Sequence, residues 1–155
     1  TLQVHGQSLK VGAGSGQVIL EVTDTYRNSY NYNNNTVTTA YRLGPSASQK
    51  LKAGVRTAIE WAKLNQTHRK SFSKEVCRFR VMEKSSYDFH GYVEQFTSEM
   101  IMEFSGQNGG SFNLEIKYPS NSVFFSFDTL KDLQDFRNLL DGKSINKEID
   151  DIFKN

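Results

Sequence analysis

His90, Tyr92 and Glu94 stand at alternate positions in a stretch, Tyr87–Phe96, whose composition favours extension, so their side chains share one strand face. An imidazole, a phenol and a carboxylate on one face are the groups that general acid–base catalysis uses. The same three residues would equally suit the solvated face of a strand. The histidines, His5, His68 and His90, fall into no HxH or HExxH spacing, and Cys77 is the single cysteine. A zinc site therefore has no support, no metal or other cofactor is implied, and no intramolecular disulfide can form. Glu99 and Glu103 lie on one strand face about 13 Å apart, wider than the carboxylate pair of either glycosidase type. They read as solubilising acids, as do Asp150 and Asp151. Gly12-Ala13-Gly14-Ser15-Gly16 lacks the Lys-Ser/Thr ending of a phosphate loop and precedes a strand instead of opening a helix, so it reads as a turn.

Two further groups suit binding better than reaction. Tyr26, Tyr30 and Tyr32 lie in or beside the Asn-rich stretch Arg27–Asn35, which has no apolar period and reads as a loop. Aromatic rings on a loop can grip a sugar, a base or a protein, or fold back over the sheet. The second group is basic. Residues 50–80 hold nine Lys/Arg against two acids, Glu60 and Glu75. Lys52 and Arg56 belong to one arc of an expected helix, and Arg78 and Arg80 to one strand face, which makes these four the candidate phosphate contacts. Against that reading, residues 71–155 hold ten Lys/Arg and fourteen acids, and the sequence pI of about 8.6 is below the strongly basic range.

The elements that would position these groups follow from periodicity. Phe112, Leu114, Ile116 and Tyr118 alternate with polar residues, and Val123, Phe125 and Phe127 repeat the pattern after a turn at Pro119–Asn121. Leu130, Leu133, Phe136, Leu139 and Leu140 then recur at spacings of three and four, so a half-buried sheet hands over to a covering helix. Thr129-x-x-Asp132 caps that helix and Gly142 ends it. Upstream, Gln17–Thr25 and Thr36–Leu43 read as strands. Gly44-Pro45-Ser46 breaks the second, and an amphipathic helix follows over 47–64, with Leu51, Val55, Ala58, Ile59 and Ala62 on its buried arc. Asn65–Ser73 reads as a loop. Val76–Glu83, Tyr87–Phe96 and Glu99–Phe104 are further strands, and Cys77 shares a face with Phe79 and Val81 as a small buried residue. A short helix over 144–153 carries Ile145, Ile149, Ile152 and Phe153 on one stripe, suited to docking on the domain or on another copy.

At 155 residues the chain fits one domain, 1–155, of α+β class: a curved antiparallel sheet of about six to eight strands, barrel-like in its curl, with one inserted helix and C-terminal helices. In architecture this is similar to pleckstrin-like domains, from which the internal helix departs. No apolar run reaches the roughly 20 residues of a membrane helix. A start at Thr1 fits a cleaved signal, a tag scar or trimming alike, and an exported or periplasmic location is the expectation over a cytoplasmic one. The leading functional expectation is a non-enzymatic binding or interaction domain whose partner is a protein or a small ligand. A nucleic-acid-binding domain using the 50–80 stretch and an enzyme built on the His90 face are the alternatives.

Overall fold

The computed structural model describes residues 1–5, 7–14, 16–27, 34–85, 93–118 and 123–142, with backbone alone for 24–27, 34–37, 83–85 and 93–98. Eight strands run β1 (Leu2–Val4), β2 (Gln7–Gly14), β3 (Gln17–Arg27), β4 (Asn34–Leu43), β5 (Phe72–Ser85), β6 (Val93–Gly106), β7 (Phe112–Lys117) and β8 (Val123–Phe127). Helix α1 (Pro45–His68) is inserted between β4 and β5, and α2 (Leu130–Leu140) follows β8. The strands form one sheet in sequence order, each antiparallel to its neighbours. This is the expected α+β architecture. The sheet is strongly curved but does not close into a barrel, since β1 and β8 are not paired. Side chains meet across the opening: His5 Nε2 lies 3.3 Å from Asp128 Oδ1, and Gln7 donates to the Phe124 carbonyl at 3.5 Å.

Alternation sorts the side chains between two faces. Val18, Leu20, Tyr41, Leu43, Phe79 and Val81 are buried on the inner face, as are Met100, Met102, Phe104, Leu114 and Ile116. Cys77 belongs to this face as expected, half-buried with its thiol pushed up to about 11, mainly by burial and then by the nearby Glu75 charge. The outer face is laced with charge. Lys117 bridges Glu103 at 3.3 Å and Glu115 at 3.9 Å. Both helices cover the inner face. Leu51, Val55, Ala58, Ile59 and Ala62 of α1 are buried, with Trp61 half-buried at the margin and edge-on to Phe104. In α2, Leu133, Phe136 and Leu140 are buried, and Phe136 stacks on Phe127. Thr129 caps α2 by accepting from the Asp132 N–H at 3.2 Å, and Gly142 has φ +75°, as its position after the helix predicts.

Several boundaries move. The first helix runs from Pro45 to His68, well past Leu64, because Asn65 is buried and its amide is fully used. It donates to the carbonyls of Gln107 at 3.1 Å and Ser111 at 3.4 Å, and accepts from the Lys70 N–H at 2.8 Å. A residue that reads as loop thus ties the end of α1 to the start of β5 and to the β6–β7 turn. Residues 93–96 and 99–104 do not belong to two strands: Val93–Gly106 is continuous, paired along β5 with bulges at Glu75/Cys77 and Met82/Lys84, while residues 87–92 lie outside the described residues. Gly12, Ala13 and Gly14 belong to β2, paired with Ile19, Val18 and Gln17, and Gly16 has φ +74°. Strand pairing also reaches into the Asn-rich stretch, since Arg27 pairs with Asn34. The 144–153 segment lies outside the described residues.

Candidate functional site

The structural irregularity of the sheet is a fork between β4 and β5. These strands pair only from Thr39↔Ser85 to Arg42↔Met82. β4 ends one residue later, at Leu43, because Pro45 removes a backbone donor and opens α1, with Gly44 extended before it. β5 continues alone. Among the described residues, Phe72–Val81 pairs with β6 on one side and with no strand on the other. The wedge between the departing chain and this free edge is a groove of about 610 Å³. Pro45 and Ala47 of α1 line one wall, Phe79 and Val81 the floor, and Arg42, Lys50, Arg78, Arg80 and Glu99 the polar margins.

Charge in the groove is unevenly satisfied. Arg78 is held by both oxygens of Glu75, at 3.1 and 3.2 Å from Nε, and by Glu99 at 3.1 Å from Nη1. These contacts hold the Glu75 carboxyl below its ordinary range and raise Arg78, with the hydrogen bond the leading cause for each. Arg80 stands opposite Glu99 in register, yet the Glu99 carboxylate turns to Arg78. Arg80 and Lys50 are exposed and make no ion pair among the described residues. Arg42 places Nη2 3.2 Å from the Met82 sulfur. Of the groove's described cations, Arg78 is matched by Glu75 and Glu99, while Lys50 and Arg80 have no carboxylate among the described residues.

A second cleft, about 430 Å³, lies at the far end of α1 between Trp61, Leu64, His68, Lys70, Phe72 and Lys74. Leu64 is 56% and Phe72 38% exposed, the largest apolar exposure near β5. Lys74 Nζ sits 5.1 Å above the Trp61 ring, a cation–π contact.

The four basic residues singled out by sequence do not converge. Arg78 and Arg80 both reach the fork, Arg78 already bound. Lys52 and Arg56 lie on the other flank of α1, about 160° and 120° around the helix from Lys50 at 100° per residue. Arg56 and Glu60, four residues apart on α1, make no ion pair among the described residues. Lys50 and Arg42 replace them at the groove. Sequence alone offered only the strand break at Gly44-Pro45 as a signal for this, because the fork depends on which strand β5 pairs with. Of the acid–base candidates, His90 and Tyr92 lie outside the described residues, and Glu94 is placed only by its backbone, paired with Lys84. Tyr26 pairs with Asn35 in the backbone ladder, while Tyr30 and Tyr32 lie outside the described residues. Glu99 and Glu103 serve as partners of Arg78 and Lys117. Among the described residues no group of three or more His, Cys, Asp or Glu is placed to hold a metal ion, and no helix is long and apolar enough to cross a membrane. No family model, curated protein or solved structure matches the chain.

Proposed function

We propose that this chain is a non-enzymatic binding domain that takes an anionic ligand in the groove at the β4–β5 fork. The observation that carries the reading is the pair Lys50 and Arg80, two exposed cations flanking a groove beside one edge of β5, with neither a carboxylate for the cations nor a strand on that edge among the described residues. Cations left unmatched on a concave wall raise the local concentration of anions and speed their encounter. The acids of the neighbouring outer face, Glu99, Glu103 and Glu115, oppose a long polyphosphate lying across the sheet, which ranks a short anionic ligand above nucleic acid.

An amide-resolved NMR titration tests this with three probes at low salt: inorganic phosphate, poly-L-glutamate and oligo(dT). The reading expects at least one probe to shift Gly44–Lys50 together with Arg78–Met82, and expects Lys50→Glu/Arg80→Glu to abolish those shifts. Shifts confined to other residues, or none with any probe, would overturn it.

A further inference from the structure

Resting on the groove reading above, we infer that the ligand is an extended acidic polypeptide segment that adds to the free edge of β5 as a ninth strand, in line with the end of β4. Ten residues, Phe72–Val81, have a strand on one side only among the described residues; α1 packs along this stretch and closes on Val76 and Cys77 at Gly54, so the open part of the edge is the fork at Arg78–Val81. Among those residues, too, no backbone hydrogen bond outside the sheet ladders and helices reaches this stretch. Proteins ordinarily cover, shorten or bend such an edge, because its unpaired N–H and C=O groups template another strand. Here the edge opens into a groove where β4 would have continued. Strand addition supplies affinity through the main chain and specificity through alternate side chains.

The side chains of β5 dictate the pattern of the guest. Phe79 and Val81 point to the inner face and floor the groove, whereas Arg80 between them points out. A strand laid beside them therefore sets alternate residues against an apolar floor and against a cation lacking a carboxylate. The matching sequence alternates acidic and β-branched residues, each pair gaining from its cross-strand neighbour. Lys50 on the opposite wall adds a second cation. A second copy of this chain offering its own β5 edge would bring Arg78 and Arg80 against like charges, which disfavours self-pairing and selects an acidic partner.

The probe is the blocked pentapeptide Ac-Glu-Val-Glu-Ile-Glu-NH2, compared with its analogue N-methylated at alternate amides, with Ac-Lys-Val-Lys-Ile-Lys-NH2 and with oligo(dT). The acidic peptide should shift Arg78–Met82 and slow hydrogen exchange at the fork-facing β5 amides by about tenfold. The N-methylated and lysine peptides should bind about tenfold more weakly, or not at all. Arg80→Glu, an exposed substitution whose fold the same spectrum checks, should reverse the preference between acidic and lysine peptides. Lys50→Glu provides a second variant on the other wall. Equal binding of the N-methylated analogue, or preference for oligo(dT), would overturn strand addition while leaving an anion-binding groove. No response at Gly44–Lys50 or Arg78–Met82 to any probe would overturn both.

Discussion

Replacing Gly54 by alanine should destabilise the protein, against the ordinary rule for a helix interior. Glycine inside a helix costs about 1 kcal/mol relative to alanine, so propensity alone predicts a gain of that size. The structure opposes it. A Cβ at Gly54 would stand 2.7 Å from Cys77 Sγ, 3.2 Å from Met102 Sδ and 3.5 Å from Val76 Cγ1. Optimal carbon contacts lie near 3.5–4.0 Å, so α1 and β5 must part by about 1 Å. Overpacking of this kind costs about 1–3 kcal/mol, which leaves a net loss of about 1 kcal/mol. Met102 has three side-chain torsions with which to turn away against one for Cys77, and the Cys77 contact is the shorter, so the clash resides mainly in that sulfur. Cys77→Ala should cost about 1 kcal/mol by leaving a small void. In the double variant the methyl group introduced by Gly54→Ala enters that void, and the two changes should couple favourably by about 2 kcal/mol. Equilibrium urea unfolding, followed by circular dichroism and by the fluorescence of Trp61, the single tryptophan, measures all four corners of the cycle. A Gly54→Ala protein about 1 kcal/mol more stable than the parent, with coupling within about 0.3 kcal/mol of zero, would refute the close approach of α1 to β5.

Three other outcomes follow from single side chains. Asn65→Ala removes the acceptor of the Lys70 N–H and one of two donors to each of the Gln107 and Ser111 carbonyls, which keep the N–H of Gly110 and Gln107, and should cost about 2 kcal/mol in chemical denaturation. Arg69 closes α1 with φ +51° and its side chain is exposed, so Arg69→Gly should stabilise by about 1 kcal/mol in the same assay. The Cys77 thiol, raised from 9.0 to about 11, stays protonated well above neutrality. The unfolded chain ionises first as pH rises, so the folded state loses stability between those two values and none below them. At pH 8 Ellman's reagent should react with the native thiol about a hundredfold more slowly than with urea-unfolded protein, and equal rates would contradict the burial.

What was legible in the sequence is what local periodicity encodes. Alternation placed Phe112, Leu114 and Ile116 on the core face, and a spacing of three and four did the same for Leu133, Phe136 and Leu140. The cap at Thr129 and the stop at Gly142 are local chemistry and were readable for that reason. Asn65 was not, because its partners lie 42 and 46 residues away and only tertiary hydrogen bonds make a buried asparagine tolerable at a helix end. Thr97 and Ser98 look like a break between strands, but β5 pairs with both and carries β6 straight through them. The fork is the same kind of case. Lys50 and Arg80 are thirty residues apart, and they meet only because β4 gives up its neighbour at Arg42. The cations themselves were visible as a basic run, yet helical phase sends Lys52 and Arg56 to the far flank, where they can share no ligand with Arg80.

The side-chain bridge across the open sheet has a consequence for the order in which the molecule can be completed. β1 and β2 pack against α2, and Gln7 reaches the Phe124 carbonyl. Leu2, Val4 and Leu9 are thus made before α2 and find that cover only once α2 has been made. At translation rates of about 5–20 residues per second, that interval is on the order of ten seconds. For that time the first hairpin lacks the α2 cover over Leu2, Val4 and Leu9, and exposed apolar surface of this kind is prone to association with other chains. Fusing a second protein after the described residues would leave this interval unchanged, whereas a rearranged chain that places Thr129–Gly142 ahead of Leu2 would remove it.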